Sequence, residues 1–155
     1  MLNDFAEGYS RQMDHTSHVC DACLPDAISK ESIARAFGFH LMLDCYGCSA
    51  EKLDDVTACY DFLDTLVEKI GACKQSQPYV FRTPSSFKGK EGLSGWVPIV
   101  ESGISIHTLT GKQFVSIDVY SCKVFDCTAI IDFTKDFFMS DRIEKNYILR
   151  GKDYH

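Results

Sequence analysis

WVPIVESGISIHTLTGKQFVSIDVYSC, residues 96–122, holds three strand signals in close succession. Trp96 to Glu101, Ile104 to Leu109 and Phe114 to Cys122 are rich in β-branched and aromatic residues, and Gly111-Lys112 offers a hairpin turn between the last two. Hairpin connections of this length imply antiparallel pairing. Alternation then divides the faces. Val115, Ile117 and Val119 point one way, and Ser116, Asp118, Tyr120 and Cys122 the other. Ile104 and Ile106 share a face, with Ser105 and His107 opposite. One side of the sheet suits packing under helices. The other carries His, Asp, Tyr and Cys and belongs in a site or against a partner subunit.

Outward from this stretch the pattern changes period. Leu53, Val56, Tyr60, Leu63, Val67 and Ile70 recur at spacings of three and four, which predicts a helix capped by Ser49 and stopped at Gly71. A second helix is expected over Cys127 to Phe138, with Asp126 as cap and Phe133, Phe137 and Phe138 in the core. Gly38 to Tyr46, Tyr79 to Arg82 and Arg142 to Leu149 read as further strands, Ser29 to Phe37 as a short helix, and the turn-rich Thr83 to Gly92 as a loop. The expected fold is α+β, a two-layer sandwich of an antiparallel sheet with two main helices on one face. Residues 1–35 form an N-terminal extension without sustained periodicity, and residues 36–155 form the domain.

Composition narrows the function class. The chain has 155 residues, enough for one core, and a net charge of −6, which provides no basic footprint for nucleic acid. No apolar run is long enough to span a membrane and no signal-peptide core is visible, so a cytoplasmic enzyme or interaction domain is expected. The eight cysteines then read as reduced thiols or metal ligands. Cys20, Cys23, Cys45 and Cys48 form two C-x2-C pairs near zinc-ribbon spacing, although Cys45 falls inside an expected strand. Cys45 and Cys59 otherwise read as packing residues, and Cys73 and Cys127 as incidental.

The run Glu101-Ser102-Gly103-Ile104-Ser105-Ile106-His107-Thr108 is preceded by Gly92-Leu93-Ser94-Gly95 and followed by Cys122. These residues and their spacing resemble the prokaryotic S-adenosylmethionine decarboxylases, whose E-S-x-x-[ST]-I-H-T segment follows a G-x-S-G and precedes a cysteine on the next strand. Gly38-Phe39-His40-Leu41 and the helix after Cys48 agree with the same family. The resemblance implies a self-cleaving, pyruvoyl-dependent decarboxylase of polyamine biosynthesis. Its bond Glu101–Ser102 breaks, and Ser102 becomes the pyruvoyl group that binds the substrate amine as a Schiff base, with no separate cofactor. It assigns His107 as processing base, Ser94 as a processing donor and Cys122 as proton donor. Asp44, Phe87 and Ser105 are the implied substrate-binding positions. A homodimer with sites at the subunit interface is implied too, the prokaryotic protomer being half of the eukaryotic enzyme.

Ser102 and His107 are five residues apart, so a straight strand would face them oppositely. The chain is therefore expected to turn or bulge at Gly103; a regular strand with the two far apart would defeat this mechanism. The nucleoside-binding half departs from the family. Lys88 stands where a base-stacking Phe is usual, leaving Phe87 to substitute with a one-residue shift, and Leu109-Thr110-Gly111 lacks the Glu that binds the ribose. A lost base-stacking aromatic costs about 1–3 kcal/mol. The alternative substrates are L-ornithine and L-arginine, and a further alternative is an uncleaved zinc-binding or interaction protein.

Overall fold

The computed structural model describes residues 29–154, so Cys20, Cys23 and most of the expected N-terminal extension lie outside the described residues. A short helix α1 (Lys30–Arg35), capped by the Ser29 hydroxyl, leads into β1 (Gly38–Tyr46). Then come α2 (Ala50–Asp54), α3 (Val56–Lys69), β2 (Tyr79–Arg82), β3 (Leu93–Ile99), β4 (Ser102–Leu109), β5 (Phe114–Ser121), α4 (Cys127–Phe138) and β6 (Arg142–Arg150). The six strands form one antiparallel sheet in the order β2-β3-β4-β5-β1-β6. α3 and α4 cover one face, which makes the expected two-layer α+β sandwich.

The helix expected from Ser49 to Ile70 is two helices. Asp55 breaks it: its Oδ1 accepts the Thr57 and Ala58 N–H groups at 2.8 and 3.1 Å and starts α3 afresh. An Asp side chain competes with the helical backbone for such donors. The buried stripe of α3 is also rotated from the expected one, to Cys59, Phe62, Leu63, Leu66 and Val67, leaving Val56 exposed. Phe62 stacks parallel to Phe133 at 5.4 Å and meets Phe138 at 4.7 Å, joining the two helices. α4 spans the expected residues, with Asp126 accepting from Thr128 and Ala129.

Two strand ends differ from expectation. β3 stops at Ile99 and β4 begins at Ser102, so Val100-Glu101 is a two-residue turn rather than strand. The cause is tertiary: Val100 donates to the Cys73 carbonyl at 2.8 Å and Gln75 to the Pro98 carbonyl at 3.0 Å, so the 73–75 segment grips the hairpin end. The expected turn at Gly111-Lys112 is a short 3-10 turn, Thr110–Lys112, closed by Gln113 at positive φ.

Cys45, Cys48 and Cys59 are all buried. Burial pushes their thiols up to about 12, 11 and 12. No group of three or more His, Cys, Asp or Glu side chains gathers into a metal-ligand cluster among the described residues. These shifts predict alkaline destabilisation. Above a thiol's ordinary value of 9.0 the unfolded chain loses protons that the folded chain keeps, so stability falls with rising pH. Each such thiol adds a slope of about 1.4 kcal/mol per pH unit between its two values. Melting temperature should drop steadily from pH 9 to 11, and Cys59→Ala should make that drop shallower. An unchanged slope in this variant would contradict the assignment.

Candidate active site

The solvent-facing side of the sheet carries two clusters of chemically capable side chains. The first is set by Gly92, which lies at φ +157° against the Thr108 carbonyl; an added Cβ would come within 2.1 Å of that oxygen. Buried Thr108 accepts from the Leu93 N–H at 2.7 Å and donates to the Leu53 carbonyl at 2.8 Å, locking β3 to β4 and both to α2. The resulting register pairs Ser94 with His107, and Ser94 Oγ lies 2.8 Å from His107 Nδ1. That contact leaves Nε2 as the nitrogen available for proton transfer. A cleft of about 430 Å³ opens beside it, lined by Phe81, Arg82, Phe87, Lys90, Ser94 and His107 among others.

The second cluster surrounds the Val100-Glu101 turn. The Glu101 carbonyl accepts the Cys122 N–H at 3.0 Å, because β5 ends beside the start of β4. The Glu101 carboxylate is buried and accepts from the Cys73 N–H at 3.1 Å. Ser102 sits at φ +154°, a region that costs a non-glycine residue about 1–3 kcal/mol. The peptide between Glu101 and Ser102 is thus held from both sides with its carbonyl already on a donor. Burial, and then the negative Glu101, push the Cys122 thiol up, so it stays protonated at neutral pH. Ser102 lines a cavity of about 280 Å³ together with His40, Trp96, Gly103, Ser105, Asp118 and Tyr120.

The bend expected at Gly103 is absent. β4 keeps one register against β3 and one against β5 from Ser102 to Leu109. Five regular strand steps separate Ser102 from His107, roughly 16 Å, so within one chain the two do not meet and the single-chain form of the mechanism fails. Gly103 has a different reason to be glycine: a Cβ there would come within 2.9 Å of the Trp96 indole nitrogen. Asp44 joins His107 rather than Ser102. It lies in the row Ser94–His107–Ser116–Asp44, two strands from the imidazole. Ser105 lines the Ser102 cavity, and exposed Phe87 lines the His107 cleft.

A family model described as S-adenosylmethionine decarboxylase matches residues 39–151. The chain belongs to that family. Among its S-adenosylmethionine decarboxylase relatives is a proenzyme so named from Clostridium botulinum (strain Loch Maree / Type A3), 30% identical over 116 residues, covering 74% of this chain and 95% of the relative. One from Bacillus velezensis is 31% identical over 114 residues, covering 74% and 86%. The crystal structure of the Aquifex aeolicus adenosylmethionine decarboxylase superposes with a TM-score of 0.63 at 28% identity, covering 75% of this chain and 92% of that one. This S-adenosylmethionine decarboxylase family member is accordingly an enzyme of a pyruvoyl-dependent lyase family. No described helix is long and apolar enough to cross a membrane.

Three contributors to the family site escaped the sequence reading. His40 Nε2 is 2.9 Å from Asp118 Oδ1 beside Ser102, although the two are 78 residues apart. Alternation on β1 and β5 puts both on the open face, but only the register β5-β1 makes them neighbours. Cys73 acts through its backbone N–H, for which no side-chain pattern exists. Trp96 faces the site because β3 starts at Leu93, with odd positions buried and even ones outward.

Proposed function

We propose that the chain is a self-cleaving proenzyme that breaks its own Glu101–Ser102 bond and then decarboxylates S-adenosylmethionine for polyamine biosynthesis in the cytoplasm. The observation that carries this is the Cys122 N–H on the Glu101 carbonyl, at 3.0 Å, beside a Ser102 of unfavourable φ. When Ser102 Oγ adds to the Glu101 carbonyl carbon, negative charge grows on the oxygen that this N–H already holds. Cleavage of the C–N bond turns the amide into an ester and relieves the backbone at Ser102. Loss of the Ser102 Cα proton with rupture of the Cβ–O bond frees the Glu101 carboxylate. Uptake of one water and release of one ammonia then leave a pyruvoyl group at the start of the 102–155 chain.

The elimination needs a base. His107, held through Nδ1 by Ser94, has Nε2 to offer. Because about 16 Å separates it from its own Ser102, the base for each Ser102 comes from a second copy. Both clusters lie on one sheet face that also exposes Tyr79, Phe81, Trp96 and Ile148, as a self-complementary twofold interface requires. The proposed unit is therefore a homodimer built of residues 36–155, with residues 1–35 as an extension; the family match beginning at residue 39 supports that boundary.

The residues around Ser102 fit a pyruvoyl group, since the turn, the Cys122 donor and the adjoining cavity are all in place. The group supplies an electron-accepting carbonyl for the substrate amine. The Cys122 thiol, kept protonated by its surroundings, holds the proton to be returned to the substrate α-carbon. Phe81 and Phe87 present exposed aromatic faces in the His107 cleft for the adenine. A second reading, L-ornithine or L-arginine, is favoured by one observation: no carboxylate lines that cleft to bind a ribose, and Arg82 and Lys90 do. Purified protein should resolve by mass into chains 1–101 and 102–155. Carbon dioxide release with S-adenosylmethionine, ornithine and arginine supplied separately then identifies the substrate. A chain that stays whole sinks both readings.

A further inference from the structure

On the open face, register sets Trp96 of β3, Ser105 of β4 and Asp118 of β5 side by side in one row. Neighbouring strands lie about 4.8 Å apart, so the indole and the carboxylate rise roughly 10 Å from each other with only a serine between them. The result is a slot with an aromatic wall and an acidic wall. It opens into the same cavity as Ser102, three residues back along β4, about 10 Å. Trp96 is half exposed and lies against Gly103, a position no larger residue could hold without displacing the indole. Asp118 gives Oδ1 to His40, and its other oxygen has no partner among the described residues.

The two cavities differ in charge. The His107 cleft is lined by Arg82 and Lys90, and of all the residues lining either cavity Asp118 alone is acidic. S-adenosylmethionine, ornithine and arginine each carry a second positive charge on a short arm from the α-carbon. An aromatic face opposite a carboxylate is a good receptor for such a charge, whether sulfonium, ammonium or guanidinium. We propose that Trp96, Ser105 and Asp118 form the subsite that receives the side-chain cation of the substrate. This rests on the reading of Ser102 as the reacting position, and it makes Trp96 and Asp118 specificity-determining residues.

The test uses full-length, processed protein, with cleavage checked by mass in every variant. Trp96 is the only tryptophan in the chain, so rapid-mixing fluorescence reports the slot directly. S-adenosylmethionine should quench it at concentrations at least ten-fold lower than the uncharged S-adenosylhomocysteine, or arginine likewise against uncharged citrulline, whichever charged member is turned over. Asp118→Asn should cleave normally, lose that preference and raise KM ten-fold or more while kcat changes less than three-fold. Asp118→Glu should restore most of the preference, and Asp44→Asn should leave it intact. A cleaved, active protein whose charged-to-neutral ratio is the same in Asp118→Asn overturns the subsite alone. A wild-type chain that never cleaves overturns the reading of Ser102 and the subsite with it.

Discussion

Ser102→Ala is expected to leave the chain whole and without decarboxylase activity, at the largest effect of any single substitution. The proposed cleavage begins with the Ser102 hydroxyl, and alanine has no atom that can attack the Glu101 carbonyl or become a keto group. The Cys122 N–H, the buried Glu101 carboxylate and the hairpin grip at Cys73 do not depend on that hydroxyl. The variant should therefore fold and melt close to wild type, which separates lost chemistry from lost structure. The measurements are intact mass and carbon dioxide release on the same preparation. A Ser102→Ala protein that still appears as two chains cut before residue 102 would show that the break is made by some other agent.

The second large effect is a rescue. His107→Ala alone should slow cleavage by roughly 10²–10⁴-fold, the usual worth of a positioned general base. Coexpressed with Ser102→Ala, it should recover. In a mixed dimer the His107→Ala chain keeps Ser102, and its partner keeps the Ser94–His107 pair. One of the two sites is then complete. Only the chain that retains Ser102 should be cut, and with random pairing roughly half of those chains sit in mixed dimers. Distinct masses of the two variants make the outcome legible in one spectrum. The regular β4 register demands this result, because the base and its target stand about five strand steps apart on a stiff, doubly paired strand. No recovery in purified mixed dimers would mean that each chain cleaves with its own residues, and that β4 bends in a way the register does not contain.

Much of this was legible in the one-dimensional pattern, and the reasons are local. Period-two alternation in Phe114 to Cys122 divided the sheet faces correctly, since side-chain direction in a strand follows from backbone geometry alone. Asp126 marked the start of α4 because an aspartate before an apolar run satisfies the first free N–H groups. The spacing of Ser94, Ser102, His107 and Cys122 led to the family. The same local logic failed at Asp55, where a second capping aspartate inside a periodic run divided one helix into two. It failed again at Val100-Glu101, which has no turn residue and bends because the distant 73–75 segment holds it.

The sequence by itself determined the layers of this fold, the strands that build its open face and the reactive bond at Glu101–Ser102. These depend on residue type and short spacing. Only the tertiary structure decided which reactive groups can meet. Register brought Ser94 onto His107, His40 onto Asp118 and the Cys122 N–H onto the Glu101 carbonyl, and it held Ser102 away from His107. Pairing between strands is a sum of long-range contacts that no window of the chain contains, and a slip of a single residue would turn every side chain of a strand to the opposite face.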